Sequence, residues 1–173
     1  MSDPLNSPAH PHEPSANSTP LTEAPPTPSL LSQLRHRRPS ELALGAEAFV
    51  LLAIFRACLA FVPVRRIVRT VTHGTASPPQ PAPIDPSALP IALRVRWAVE
   101  AVSRNAPARF VCFPQSLAGY VMLRRRRVPS TIVYGVARSP EGKLIAHTWL
   151  TLGDRIVLGG AGSDAYTPVE RWT

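Results

Sequence analysis

Cysteine is scarce, with two in 173 residues. Two cysteines cannot make a disulfide framework, and nothing obliges these two to pair. Aromatic residues make up only 6% of the chain, and none interleaves with the run Arg124-Arg125-Arg126-Arg127. A stacking platform for nucleic acid is therefore lacking. The run reads instead as a solvated helix C-terminus, where cations complement the dipole, and nucleic acid is not an expected partner. No His, Cys or carboxylate cluster has ligand spacing, so neither a metal nor a cofactor is expected. The first residues have no basic n-region or apolar h-region, so no signal peptide is read and a reducing cytoplasm is the expected compartment. Long hydrophobic runs are missing too. Residues 42–62 come nearest, but Glu47 and Arg56 interrupt them, each costing roughly 2.5–3.5 kcal/mol near a bilayer centre. The uninterrupted stretch 48–55 is too short to span, so a buried core helix is expected there. Surface attachment to a membrane stays open, because Arg65, Arg66 and Arg69 follow closely.

Proline, by contrast, is plentiful. Nine fall in residues 1–39, among many Ser and Thr and few large apolar side chains. Such a segment cannot bury enough surface to offset its ordering entropy, and a disordered tail is expected. It holds three basic and three acidic residues, so the net charge of +8 belongs to residues 40–173. That balance suits an acidic peptide or an acidic partner face. Residues 74–90 form a second proline-rich stretch and read as a linker inside one domain, between a helical hairpin at 40–72 and a second half at 91–173.

The spacing predicts a helix from Ser40, as cap, to about Phe61, ended by Pro63, with Leu44, Leu51, Leu52, Phe55 and Leu59 recurring at helical spacing. Apolar residues fill most of its circumference, which predicts packing on more than one side. A short basic helix over 64–71 follows. A third is expected over 91–104, with Leu93, Val95, Trp97, Val99, Ala101 and Val102 inward. A fourth runs from Cys112 to about Arg126, with Leu117, Tyr120, Val121 and Leu123 as its apolar face. Strands are expected over 131–137, 144–152 and 155–158, separated by Ser139-Pro140-Glu141-Gly142 and Gly153-Asp154 turns. Helices packed on a small antiparallel sheet make an α+β fold.

Cys112 opens its helix, where the dipole and unpaired backbone N–H groups favour thiolate over thiol. Of five histidines, His10, His12 and His36 lie in the tail and His73 precedes the linker. Only His147 sits in a segment that reads as a strand. A histidine beside such a cysteine can take its proton and later return it to a leaving group. The pair is the minimal kit of a cysteine acyl-transfer enzyme. Cys58 lies in an apolar helical run and reads as core.

Cys112-Phe113-Pro114-Gln115-Ser116-Leu117-Ala118, Leu123-Arg124-Arg125-Arg126-Arg127-Val128-Pro129, Tyr134-Gly135-Val136-Ala137, Ala146-His147-Thr148-Trp149 and Val157-Leu158-Gly159-Gly160 occur in that order. Together they resemble the transglutaminase-like cysteine protease of lasso-peptide biosynthesis, the B protein, in its stand-alone form. The resemblance covers roughly 40–172 and includes the hairpin with Glu47, Arg56 and Pro63. It implies a transglutaminase/papain-like core and a peptidase that removes the leader from a ribosomally made precursor peptide. Cys112 would be the nucleophile and His147 the base, with the first N–H groups of the Cys112 helix as oxyanion donors. The implied partners are the precursor, a leader-binding protein on a separate chain and an ATP-dependent lasso cyclase. Two departures stand out. Relatives often have Gly where this chain has Arg127. Many also carry Asp after the histidine strand, where this chain has Leu158-Gly159-Gly160. Asp154, Asp164 or a backbone carbonyl would then orient the imidazole. A non-catalytic protein of the same fold and an acyl-transferase using an amine acceptor remain the alternatives.

Overall fold

The computed structural model describes residues 38–72, 85–106 and 111–173. The proline-rich tail, all but the end of the linker, and His10, His12, His36 and His73 lie outside the described residues. The elements are α1 (Pro39–Phe61), α2 (Val64–Val71), α3 (Ala88–Asn105), α4 (Cys112–Arg125), β1 (Thr131–Arg138), β2 (Leu144–Leu152), β3 (Arg155–Leu158), a 3-10 turn (Ser163–Ala165) and β4 (Thr167–Trp172). Among the described residues the fold is α+β, with four helices and a four-stranded antiparallel sheet.

Two helix starts differ from expectation. Ser40 is not the cap of α1, because Arg38 holds that position and Pro39 opens the helix; proline's fixed φ and missing N–H suit the first helical residue. Helix α3 begins at Ala88, inside the expected linker, after an Asp85 turn in which Ser87 N–H donates to Asp85 Oδ1 at 2.9 Å. Pro90 is tolerated there because first-turn N–H groups have no partner within the helix. The inward face of α3 is Ala88, Ala92, Val95, Ala98 and Val99, while Leu93 is 49% exposed. Small residues let α3 lie close to its neighbours, and Leu93 falls on the other side.

Helix α4 is central. It packs on α1 and α3 on one side and on β2 on the other, so Leu117, Ala118, Tyr120, Met122 and Leu123 are all buried. Its end is a Schellman motif: Val128 N–H donates to Leu123 O at 3.0 Å and Arg127 N–H to Arg124 O at 2.9 Å. Arg127 takes the left-handed conformation, φ 58°, which explains why glycine suits that position.

Helix α1 runs antiparallel to α4. Near its start, Glu47 binds the far end of α4, accepting from Arg126 at 2.7 Å and from Arg125 at 3.1 Å. Only one side of α1 is buried, through Leu44, Ala48, Leu51, Leu52 and Phe55. The expected packing on more than one side is not found: neighbouring helices cover a single face of α1.

The sheet order is β3-β2-β1-β4. β1 and β2 pair with Gly135 opposite His147 and Val133 opposite Trp149. The chain adds a strand that its sequence does not announce: β4 returns along the other edge of β1, with an irregularity at Tyr134/Gly135.

Candidate active site

Cys112 is the first residue of α4, and its N-cap Val111 makes no side-chain cap. The N–H groups of Cys112 and Phe113 therefore stay directed out of the helix end, while Pro114 has none to offer. A cavity of about 400 Å³ opens there, bordered by Cys112, His147, Val64, Arg65, Phe113, Tyr134, Ala146, Thr148, Glu170 and Trp172. Its walls are chiefly apolar, with one cation and one carboxylate. Trp172 Nε1–H donates to that carboxylate, Glu170, at 3.2 Å.

β2 is tied to α4 one turn beyond the cysteine. Ser116, which shares a helix face with Cys112, donates its hydroxyl to Thr148 Oγ1 at 3.4 Å in a buried contact. His147 is the preceding residue and points to the opposite side of the strand. There its ring lies between Trp149, centroid distance 6.0 Å and stacked, and Tyr166 at 5.2 Å. Among the described residues the hydrogen-bond partner of the imidazole is the Gly159 carbonyl, 2.7 Å from Nε2. A carbonyl only accepts, so Nε2 carries the proton, and in the neutral ring Nδ1 keeps the free lone pair. Cys112 and His147 border one cavity, but the imidazole lies on the face of β2 away from the Cys112 helix, and thiol and imidazole are not joined by a hydrogen bond.

Neither candidate carboxylate reaches the ring. Asp154 lies in the β2–β3 turn, exposed, beyond Leu152. Leu152 lies five steps of extended strand, about 17 Å, from His147. Asp164 lies exposed in the 3-10 turn. Of the three orienting groups considered, the geometry supplies the backbone carbonyl. Gly159 has φ +74°, and a Cβ there would sit 2.9 Å from Thr148 O and 3.3 Å from Trp149 Cα. Only a residue without a side chain lets that carbonyl come so close to β2. Sequence reasoning missed Tyr166, for which no periodic signal exists, and Trp149's role, which the two-residue alternation from His147 could have suggested. Among the described residues, no three His, Cys, Asp or Glu side chains gather as a metal-ligand set.

A family model, described as the Transglutaminase-like superfamily, matches residues 52–171. The chain belongs to that superfamily. No match was found among curated proteins or among solved structures. The matched segment runs from the middle of α1 to β4 and contains both Cys112 and His147. Transglutaminase-like membership points to chemistry of the cysteine protease or acyltransferase type.

Proposed function

We propose that this transglutaminase-like chain is a cysteine peptidase that cuts the leader from a ribosomally made lasso precursor peptide, before a separate ATP-dependent cyclase closes the macrolactam. The observation that carries the reading is the Cys112 thiol at an uncapped helix start, with His147 bordering the same cavity and its Nε2–H held by Gly159 O. The lasso assignment itself rests on the five sequence segments in register.

The chemistry follows from these groups. Swung around β2 toward the cavity, the His147 imidazole takes the Cys112 proton as Sγ bonds to the scissile carbonyl carbon. The Cys112 and Phe113 N–H groups receive the developing oxyanion. When the C–N bond breaks, the imidazolium gives its proton to the leaving amine and a thioester remains. Water, deprotonated by the same imidazole, attacks the thioester and releases the carboxylate and the thiol. Trp149 and Tyr166 flank the ring at rest. The apolar walls at Val64, Phe113, Tyr134 and Trp172 suit an apolar side chain beside the cut. The reaction takes place in the cytoplasm, with a leader-binding protein on a second chain presenting the precursor.

The test is mass spectrometry of the precursor incubated with this chain and the leader-binding protein, wild type against Cys112→Ala. The expected result is one cut at the leader–core junction, absent with the variant. No cut by the folded wild type would replace this reading with that of a non-catalytic protein. Capture of the leader acyl group by an added amine in preference to water would replace it with an acyl-transferase.

A further inference from the structure

The outer face of α1 has a composition unlike that of a solvated helix. Leu42, Phe49, Val50, Ile54 and Phe61 are 41, 50, 53, 47 and 87% exposed, with alanines at 43, 46, 53, 57 and 60 exposed between them. The face runs the whole helix, about 34 Å. The most apolar 18-residue window of α1 has a mean hydropathy of 2.0, yet only 28% of it is buried. A core helix would be mostly covered. Neither carboxylate of α1 lies on this face: Glu47 is held by Arg125 and Arg126, and Glu41 is half-buried. Arg56 borders the face.

Cations flank the apolar face. Arg38 is exposed at its start. Past its end, α2 buries Ile67 and Val68 and turns Arg65, Arg66 and Arg69 to solvent. An apolar helix face with arginines at its margins is the pattern of a helix lying in the plane of an anionic lipid surface. The opposite face packs on α3 and α4, so α1 could span a bilayer only by leaving the core. A second copy of the same face would bring no negative charge to these arginines, whereas an anionic headgroup layer does.

We propose that the outer face of α1, with the arginines of α2, docks the protein on an anionic membrane surface. Val64 and Arg65 also border the Cys112 cavity, so docking sets the mouth of that cavity beside the lipid headgroups. The inference does not depend on which peptide is cut.

The test is co-sedimentation of the full chain with phosphatidylcholine vesicles, with and without phosphatidylglycerol, for wild type, Phe49→Gln/Ile54→Gln and Arg66→Gln/Arg69→Gln. These side chains are exposed, and thermal melts confirm that each variant folds. Wild type should bind the phosphatidylglycerol vesicles and release them in high salt. Each variant should bind about tenfold more weakly or less well still. Failure of wild type to bind, or equal binding by folded variants, overturns the proposal. So does resistance to alkaline extraction, which would mean a spanning helix. A dimer that Phe49→Gln/Ile54→Gln dissociates, with no vesicle binding, would assign the face to a second copy.

Discussion

The Trp149 indole occupies the space that a β-carbon on Gly135 would need, with its ring atoms only 2.7 and 2.8 Å from that point. Gly135 stands opposite His147 across the β1–β2 pair. A glycine in the middle of a strand is thus explained by the ring that crosses it, and that ring stacks on the imidazole. Gly135→Ala should push the indole aside and carry the histidine with it. The expected outcome is about 1–3 kcal/mol of lost stability from overpacking, together with at least a tenfold fall in cleavage rate. Thermal melts and kcat/KM on one preparation measure both.

Gly159 and Asp154 give opposite expectations. Gly159→Ala places a methyl group against Thr148 O at a left-handed φ, which should shift the carbonyl that holds Nε2. Cleavage should fall by roughly a hundredfold, as when an orienting partner is lost. Asp154→Asn, at the far turn of the strand, should leave kcat/KM within about twofold. A large loss at Asp154 and none at Gly159 would return the orienting role to the carboxylate.

Arg127 adopts a conformation that costs an L-residue about 1–2 kcal/mol and costs glycine nothing. Its position at the end of α4 is set by the two Schellman hydrogen bonds. Arg127→Gly should therefore stabilise the fold by about 1 kcal/mol and leave cleavage unchanged, as read from chemical denaturation and the precursor assay.

Glu47 couples α1 to α4 through charge. Burial works against its ionised form, but hydrogen bonds and the charges of Arg126 and Arg125 outweigh that, and its carboxyl is held below the ordinary value. The folded state thus keeps this charge to lower pH than the unfolded chain does. Its contribution is full above the usual glutamate range and disappears as pH falls through the lowered value. Glu47→Gln should cost about 1 kcal/mol at neutral pH. Below about pH 4 the wild-type advantage should shrink, and thermal midpoints of the two proteins across pH measure the convergence.

The parts legible in the sequence are those whose chemistry repeats. β2 and β3 have the expected bounds because β-branched and apolar residues end at turn-forming pairs. Cys112 heads its helix as expected because Pro114 and the apolar spacing mark a start. β4 was not legible: Thr167-Pro168-Val169-Glu170-Arg171-Trp172 is an edge strand exposed over most of its length, and a proline at its second residue reads as loop. The outer face of α1 misled differently, since an apolar circumference ordinarily signals burial all round. The acceptor for His147 is a main-chain oxygen, which no letter of the sequence records. Only the glycine that admits it is visible.

That oxygen has a consequence for how such proteins diverge. A carboxylate partner is lost by a single codon change, whereas a peptide carbonyl survives any substitution that preserves the path of its loop. Relatives sorted by whether they keep an acidic residue after the histidine strand would place this chain among the inactive ones. Sorting by the loop that delivers an acceptor would not.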